Sequence, residues 1–512
     1  MLQQQHIITV QNPDHISNLP DSVQNPDHIS NLPDSILHCI LSFLHATDAV
    51  KTVLLSKRWA HLFTSTPNLH FQKSRLCKRN DNDFVSFVNQ ALILYESPTI
   101  QEFHLVFYYK GKFYNPIIDD WIRFALWKKA RVLHLDLSGD SFSNWGYWKF
   151  VGIDPYSLPL DSFNNDSLTE LRLNSVNINP PMIVSWKNMK RLSLEQTSMA
   201  DYEMERILNG CPVLEELFLY KCNGISRLDF RGRNVRKLTV NDYDSEFGLE
   251  IWGPNVMSLN ISGDIGTARH RFKSLPSLVN ATLNLQMSFY AGWDDYEESE
   301  YHDIFRALLD ALRHARVLKV CTWCVQVLSI WELIRFPAPI FSCNYLILET
   351  GLRKWDLPGI VGLLRSSPYL ETLIIKIIPT FYLNWDETFE YFMAKYYFHG
   401  VEYLASQESN LPCLEHCLKT IKIFGFIGGG DKYKKQKAWS VNRILRRSMR
   451  QGMLVKFLLK NAMVLDKMTI YASNEREFKM IKKWSGVFSE VSKDILAFPR
   501  ASSHAEVSFS YA

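Results

Sequence analysis

One short phrase recurs through the middle of this chain and limits what it can become. The template is apolar-x-x-apolar-x-apolar. It begins at Leu168, Met189, Leu214, Val235 and Val256, at intervals of 21, 25, 21 and 21 residues. Two earlier copies start at Ile100 and Ala130, and a looser one spans Leu278–Leu285. Others begin at Ala315, Cys343, Leu370, Leu418 and Leu465, at longer and irregular spacings. The alternating part, as in Leu171-Arg172-Leu173, has the period of a short strand buried on one side. A unit of about twenty residues cannot bury its own apolar face, so successive units must stack. The expected fold is α/β: a curved solenoid of parallel strands with helices or loops outside. Asp303–Ala315 and Pro358–Arg365 read as return helices. Asn209-Gly210-Cys211-Pro212 and Ser366-Ser367-Pro368 stop helices just before the next strand.

Stacking also assigns faces. If Leu171 and Leu173 point inward, Glu170, Arg172 and Asn174 line the concave side. The first row across the repeats, Glu170, Arg191, Glu216 and Lys237, alternates in charge, so in-register neighbours should pair. The second row reads Arg172, Ser193, Phe218, Thr239, Asn260, and the third Asn174, Glu195, Tyr220, Asn241, Ser262. Phe218 and Tyr220 should stand exposed on an otherwise polar wall. With Arg172 they are the candidate target-binding residues, because aromatics exposed in a concavity make good anchors. Contact with an inserted loop of the same chain is the plainer alternative.

The N-terminal part carries a different signal. Gln11–Ser22 reads QNPDHISNLPDS, and Gln24–Ser35 repeats it. The first copy stops short of any apolar helix, so residues 1–26 are expected to be a disordered leader. The second copy runs into Ile36, Leu37, Ile40, Leu41 and Leu44 at helical spacing, with Pro33 at the start of the helix. Thr47-Asp48 should open a second helix carrying Val50, Val53 and Leu54. Ser56 should cap a third that presents Trp59, Leu62 and Phe63. Three helices this short cannot bury all their apolar surface in one another, which leaves some for a partner.

The run Asp27-His28-Ile29-Ser30, Leu32-Pro33, Ile36-Leu37, Ile40-Leu41, Leu44, Val50, Leu54-Ser56 and Arg58-Trp59 resembles the F-box. The resemblance implies docking on a Skp-type adaptor, and through it on a cullin. The adaptor contacts it implies are Leu32, Pro33, Ile36, Leu37, Ile40, Leu41, Leu44, Val50, Leu54 and Trp59. The phrases GCPVLEELFL and SSPYLETLII are similar to the repeat wording of plant-type F-box/leucine-rich-repeat proteins, and the repeat intervals suit that class. Further on, Leu418–Phe426, Val455–Ile470, Ile495–Ser502 and Val507–Phe509 resemble the FBD domain of the same plant proteins. They read as strand, helix, strand, helix and a last strand that would cover the open end of the array. The expected division is a leader at 1–26, an F-box at 27–71, a repeat solenoid at 98–400 and an FBD-like cap at 411–512. Within the last unit, Gly428-Gly429-Gly430 leads into a stretch rich in Lys and Arg, 431–450. It reads as a flexible basic loop, with a nuclear-import or acidic-partner segment as the alternative.

Together these resemblances imply the substrate-recognition subunit of an SCF-type (Skp–cullin–F-box) ubiquitin ligase, a non-catalytic receptor that brings a target protein to the charged conjugating enzyme. A repeat-based binding scaffold acting without the ligase is the alternative.

Composition excludes several other classes. A net charge of +4 over 512 residues gives no global case for nucleic-acid or membrane binding. Nine cysteines without a framework suit a reducing compartment, and no apolar run is long enough for a membrane span. Nucleus or cytoplasm is the expected location. No phosphate loop, dinucleotide fingerprint, nucleophile elbow or HExxH helix occurs, so no catalytic residue and no cofactor is expected. Cys321-Thr322-Trp323-Cys324 has the spacing of half a zinc site without a second half, and Cys413, His416 and Cys417 form a weaker cluster. Both read as packed thiols rather than metal ligands. The acidic run 294–303 reads as a solvated loop.

Overall fold

The structure is a computed structural model. It describes residues 31–73, 80–138, 154–242, 248–264, 271–286, 298–378, 411–426, 441–472 and 492–511, with a few isolated positions besides. The duplicated leader, Asp27, His28, Ser30, the triple glycine, residues 431–440 and residues 294–297 of the acidic run lie outside the described residues; the rest of that run is not loop but the start of the helix Glu298–Leu312.

The repeated phrase builds one parallel sheet of fifteen strands, and their order in space is their order along the chain. The strands are Asn68–Gln72, Glu102–Val106, Val132–Asp136, Glu170–Asn174, Arg191–Glu195, Glu216–Tyr220, Lys237–Asn241, Ser258–Asp264, Asn280–Gln286, Val317–Val320, Tyr345–Thr350, Thr372–Ile377, Thr420–Phe426, Lys467–Ala472 and Glu506–Tyr511. Each repeat start read from the sequence lies just ahead of one of them or within it. Register follows the template: Leu171 pairs with Leu192, Leu192 with Leu217, Leu217 with Leu238 and Leu238 with Leu259. These leucines form the spine of a single apolar core that runs from the N-terminal helices to the last strands.

The return segments depend on repeat length. The long repeats come back through helices, among them Asn115–Trp127, Asp201–Gly210, Thr322–Leu333 and Leu357–Arg365. The short ones return through extended chain: Arg227–Asp229, Glu250–Trp252 and Arg271–Ser274 form a separate three-stranded sheet. The chain leaves each short strand by the same corner. Ser175, Gln196, Lys221 and Asp242 take positive φ of 58°, 51°, 49° and 48°. Each then donates its N–H to the next repeat, to Glu195, Tyr220, Asn241 and Ser262 carbonyls at 2.8 to 2.9 Å. The left-handed corner thus carries the hydrogen-bond ladder one residue past the strand.

The two ends differ from the expectation. At the first, Asn68–Gln72 belongs to the sheet and pairs in register with Glu102–Val106. The template there is broken by Thr66, a buried polar residue where the other repeats carry an apolar one. At the other end, Thr420–Phe426, Lys467–Ala472 and Glu506–Tyr511 do not lie across the open edge. They prolong the same sheet, so Glu506–Tyr511 becomes its outermost strand. The basic stretch is not all loop: its second half, from Val441, opens a helix that runs to Asn461. Lysine and arginine are good helix formers, and Leu454, Val455, Leu458 and Leu459 bury its later turns.

Candidate functional site

Helices Asp34–Ser42 and Lys57–Thr64, with the short helix Ala46–Ala49 and the 3-10 helix Val50–Leu54 between them, stand at the first strand of the sheet. Pro33 precedes the first helix in extended conformation, which suits a residue at a helix start. Ser56 caps the third, its Oγ accepting from the Trp59 amide at 3.3 Å. Arg58 ties the third helix to the first, donating to Asp34 Oδ1 and to the Leu32 carbonyl.

The apolar stripe of the first helix divides into two rows. Leu37 and Leu41 are fully buried, and Trp59 packs with them. These three are core residues, buried beneath the outward-facing row rather than part of it. Leu32, Leu44 and Val50 are half-buried against the same core. Pro33, Ile36, Ile40 and Leu54 face outward. Three outward residues stand outside the implied adaptor contacts: Ile29 and Leu55, which lie in the F-box-like run, and Phe43, with Phe43 81% and Leu54 87% exposed. Ile36, Ile40 and Phe43 stand at i, i+4 and i+7, a separate helical face beside the buried row. That spacing was visible in the sequence.

On the solvent side of the sheet, the rows read from the sequence are the rows observed. Arg172, Ser193, Phe218, Thr239 and Asn260 are cross-strand partners in succession, as are Asn174, Glu195, Tyr220, Asn241 and Ser262. The alternating charges pair. Arg191 binds Glu170 at 2.5 Å, and Lys237 binds Glu216 at 3.0 Å. Arg172 closes on the same Glu170, whose side chain is 5% exposed. A depression of about 420 Å³ opens over these strands, lined by Glu170, Arg172, Glu195, Phe218, Lys237 and Asn241 among others. Phe218 is in its floor. Tyr220 lies in the next row, with Lys221 Nζ 5.2 Å from its ring centre. Both aromatics are half-buried rather than fully exposed, because neighbouring rows flank them. Burial, with the charge of Asp136, raises the Glu195 carboxyl above the usual range.

Two further features of this face were missed. Upstream of Arg172 its row continues through His134, His104 and His70. The rings of His104 and His134 stack at 3.9 Å, and His70 meets His104 edge-on at 5.4 Å. Burial, then the neighbouring His134, His70 and Arg172, hold His104 down at about 3, and burial also lowers His134. Downstream, Phe424 and Tyr471 stack at 4.4 Å on neighbouring strands. Aligning the first template copies on strand register would have shown the histidine row.

Cys413 is buried, with its thiol on the Leu364 carbonyl, and His416 pairs with Glu415. Among the described residues, no three His, Cys, Asp or Glu come together as a metal site, and no helix is long and apolar enough to cross a membrane.

The chain is similar to known proteins over both parts. The family model described as "At1g61320/AtMIF1, LRR domain" matches residues 96–428, and that of the F-box domain matches residues 29–71. Among curated relatives, the putative F-box/LRR-repeat protein At3g18150 of Arabidopsis thaliana is 30% identical over 370 residues, 71% of this chain and 72% of that one. F-box/LRR-repeat protein At3g03360 from the same plant is 28% identical over 375 residues, covering 71% and 70%. F-box protein At5g03100 is 29% identical over 335 residues, 64% of this chain and 95% of its own length.

Proposed function

This chain belongs to the F-box/LRR-repeat family of plant proteins, and from that premise we propose that it is the substrate-recognition subunit of an SCF-type ubiquitin ligase. It would have no catalytic residues of its own. A Skp-type adaptor would cover the apolar face of the N-terminal helices and link the chain to a cullin, while the sheet holds a target protein. Catalysis would then be proximity, a raised local concentration of a target lysine at the charged conjugating enzyme.

The observation that carries this reading is the uncovered row Ile36, Ile40 and Phe43 with Leu54 and Leu55, beside a fully buried Leu37 and Leu41. Exposed aliphatic and aromatic side chains so close together mark a protein interface. Pro33 and the half-buried Leu32, Leu44 and Val50 would form its margin. For the target, the depression around Arg172 and Phe218, with Tyr220 beside it, is the surface of choice. We read residues 411–512 as an FBD-like unit that ends the array, supported by the order strand, helix, strand, helix and strand that follows the short helix Pro412–His416 among the described residues. Nucleus or cytoplasm remains the proposed location.

Co-purification with a Skp-type adaptor tests the assignment. Substituting Leu32 and Pro33, or Ile40→Asp with Phe43→Asp, should abolish it. If the unaltered chain fails to bind any Skp-type adaptor, the ligase reading falls and a repeat-based scaffold acting alone takes its place.

A further inference from the structure

The strand Val317–Val320, the helix Thr322–Leu333 and the parallel strand Tyr345–Thr350 form a strand–helix–strand unit. Cys321 occupies the cap position at the start of that helix, and Cys324 lies in its first turn. The two sulfurs are 3.6 Å apart. A disulfide needs about 2.05 Å, so each sulfur has to move by less than about 1 Å, within reach of side-chain rotation. We propose that Cys321 and Cys324 are a reversible dithiol–disulfide pair, oxidised by a small-molecule disulfide of the glutathione type.

The environment gives the two thiols different roles. Cys321 retains 6% exposure and Cys324 none, so Cys321 is the less deeply buried of the two and the proposed point of attack. Burial pushes the Cys321 thiol up. The neighbouring Cys324 sulfur and the first amides of the helix, those of Cys324 and Trp323, outweigh that and leave it below the ordinary thiol range, with its S–H within donating distance of the Leu285 carbonyl at 3.0 Å. Burial, with the neighbouring Cys321, raises Cys324 well above that range. Elsewhere burial dominates: Cys211, Cys222 and Cys413 are pushed up to about 12. A thiol held below its ordinary range at a helix start, with a second thiol beside it, is the arrangement that makes a cysteine pair exchange disulfides.

The step balances without a further reactant. The Cys321 thiolate attacks one sulfur of the small disulfide, forming a mixed disulfide and expelling one thiolate. Cys324, losing its proton to that leaving group or to water, then attacks the Cys321 sulfur and expels the second. The two cysteines are oxidised by two electrons, and the small disulfide becomes two thiols.

A redox titration of the intact 512-residue chain tests this. The chain is equilibrated with reduced and oxidised glutathione at graded ratios, quenched by alkylation in denaturant and digested with trypsin. The peptide Val320–Arg335 contains both cysteines and no others. It should become two hydrogens lighter and escape alkylation, at a ratio at least about tenfold more reducing than the chain unfolded in urea requires. Cys324→Ser should trap one glutathione on Cys321, and Cys321→Ser should take up none on this peptide. If both cysteines remain alkylated under excess oxidised glutathione, or if folded and unfolded chains oxidise at the same ratio, the proposal is overturned. Zinc bound stoichiometrically by the purified chain and lost in both serine variants would overturn it as well. Should either variant fail to fold, the titration of the unaltered chain decides.

Discussion

Arg58 lies 24 residues beyond Asp34 in sequence, yet its Nε and Nη2 both donate to Asp34 Oδ1, at 2.8 and 2.5 Å. A third bond, 2.6 Å to the Leu32 carbonyl, fixes the chain just ahead of the first helix. This one side chain orients the helix that bears Ile36, Ile40 and Phe43. The pair is largely exposed, so its direct worth is small, about 0.5–1 kcal/mol in a double-mutant cycle. Arg58→Ala should therefore weaken amide protection across Asp34–Ser42 in hydrogen exchange while leaving the rest of the sheet protected.

The two rows of the first helix should respond in opposite ways. Leu37→Ala removes a fully buried side chain and should cost about 2–5 kcal/mol of local stability. Phe43→Asp changes an exposed position and should leave the thermal melt unchanged, yet reduce adaptor affinity at least about tenfold. Isothermal titration against a purified Skp-type adaptor, alongside melting curves, separates the two effects.

On the sheet, Phe218→Ala combined with Tyr220→Ala should weaken capture of a target by about tenfold or more, since buried aromatics dominate interface energy. Adaptor binding should be unaffected. Quantitative pull-down from plant extract, compared with the unaltered chain, is the measurement. Equal recovery of every captured protein would remove these two side chains from the target site.

Glu170 answers to both Arg172 and Arg191 from a buried position. Glu170→Gln keeps the shape and removes the charge. It should destabilise the strands around it by about 1–3 kcal/mol, moderated because both arginines can turn to water. Hydrogen exchange of Glu170–Asn174 and Arg191–Glu195 would record it.

The histidine row gives a pH dependence. His104 stays neutral in the folded chain down to about pH 3, against an ordinary value of 6.5. Between those limits the unfolded chain binds a proton that the folded chain does not, so stability falls as the pH drops through that window. The lowered His134 adds to it in the same direction. Between pH 7 and pH 5, His104→Gln should lose about two degrees less in melting temperature than the unaltered chain.

Much of this architecture was legible because leucine-rich strands obey two simple rules. Inward residues repeat at fixed offsets, and in-register stacking follows, so Arg172, Ser193 and Phe218 could be set side by side from their numbers alone. The pairing of Glu170 with Arg191 came from the same arithmetic. Three kinds of feature escaped it. Thr66 hid the first strand because a polar side chain sits where the template demands an apolar one. The corners at Ser175, Gln196, Lys221 and Asp242 carry no glycine, so nothing in the sequence marked a left-handed backbone. Leu37 and Ile36 are chemically alike and adjacent, and hydrophobicity alone cannot say which is buried; only the partner helix, held by Arg58, decides that.

Since strand order in space follows strand order in sequence, the sheet acts as a ruler. From Asn68–Gln72 to Glu216–Tyr220 there are five lateral steps, each about 4.8 Å, which sets the candidate target surface about 24 Å from the F-box end of the sheet. Removing one short repeat between them would draw a captured protein closer by a single step and turn it by the local twist. Which of its lysines came within range would then be a matter of repeat number, adjustable without altering any residue that touches the cargo.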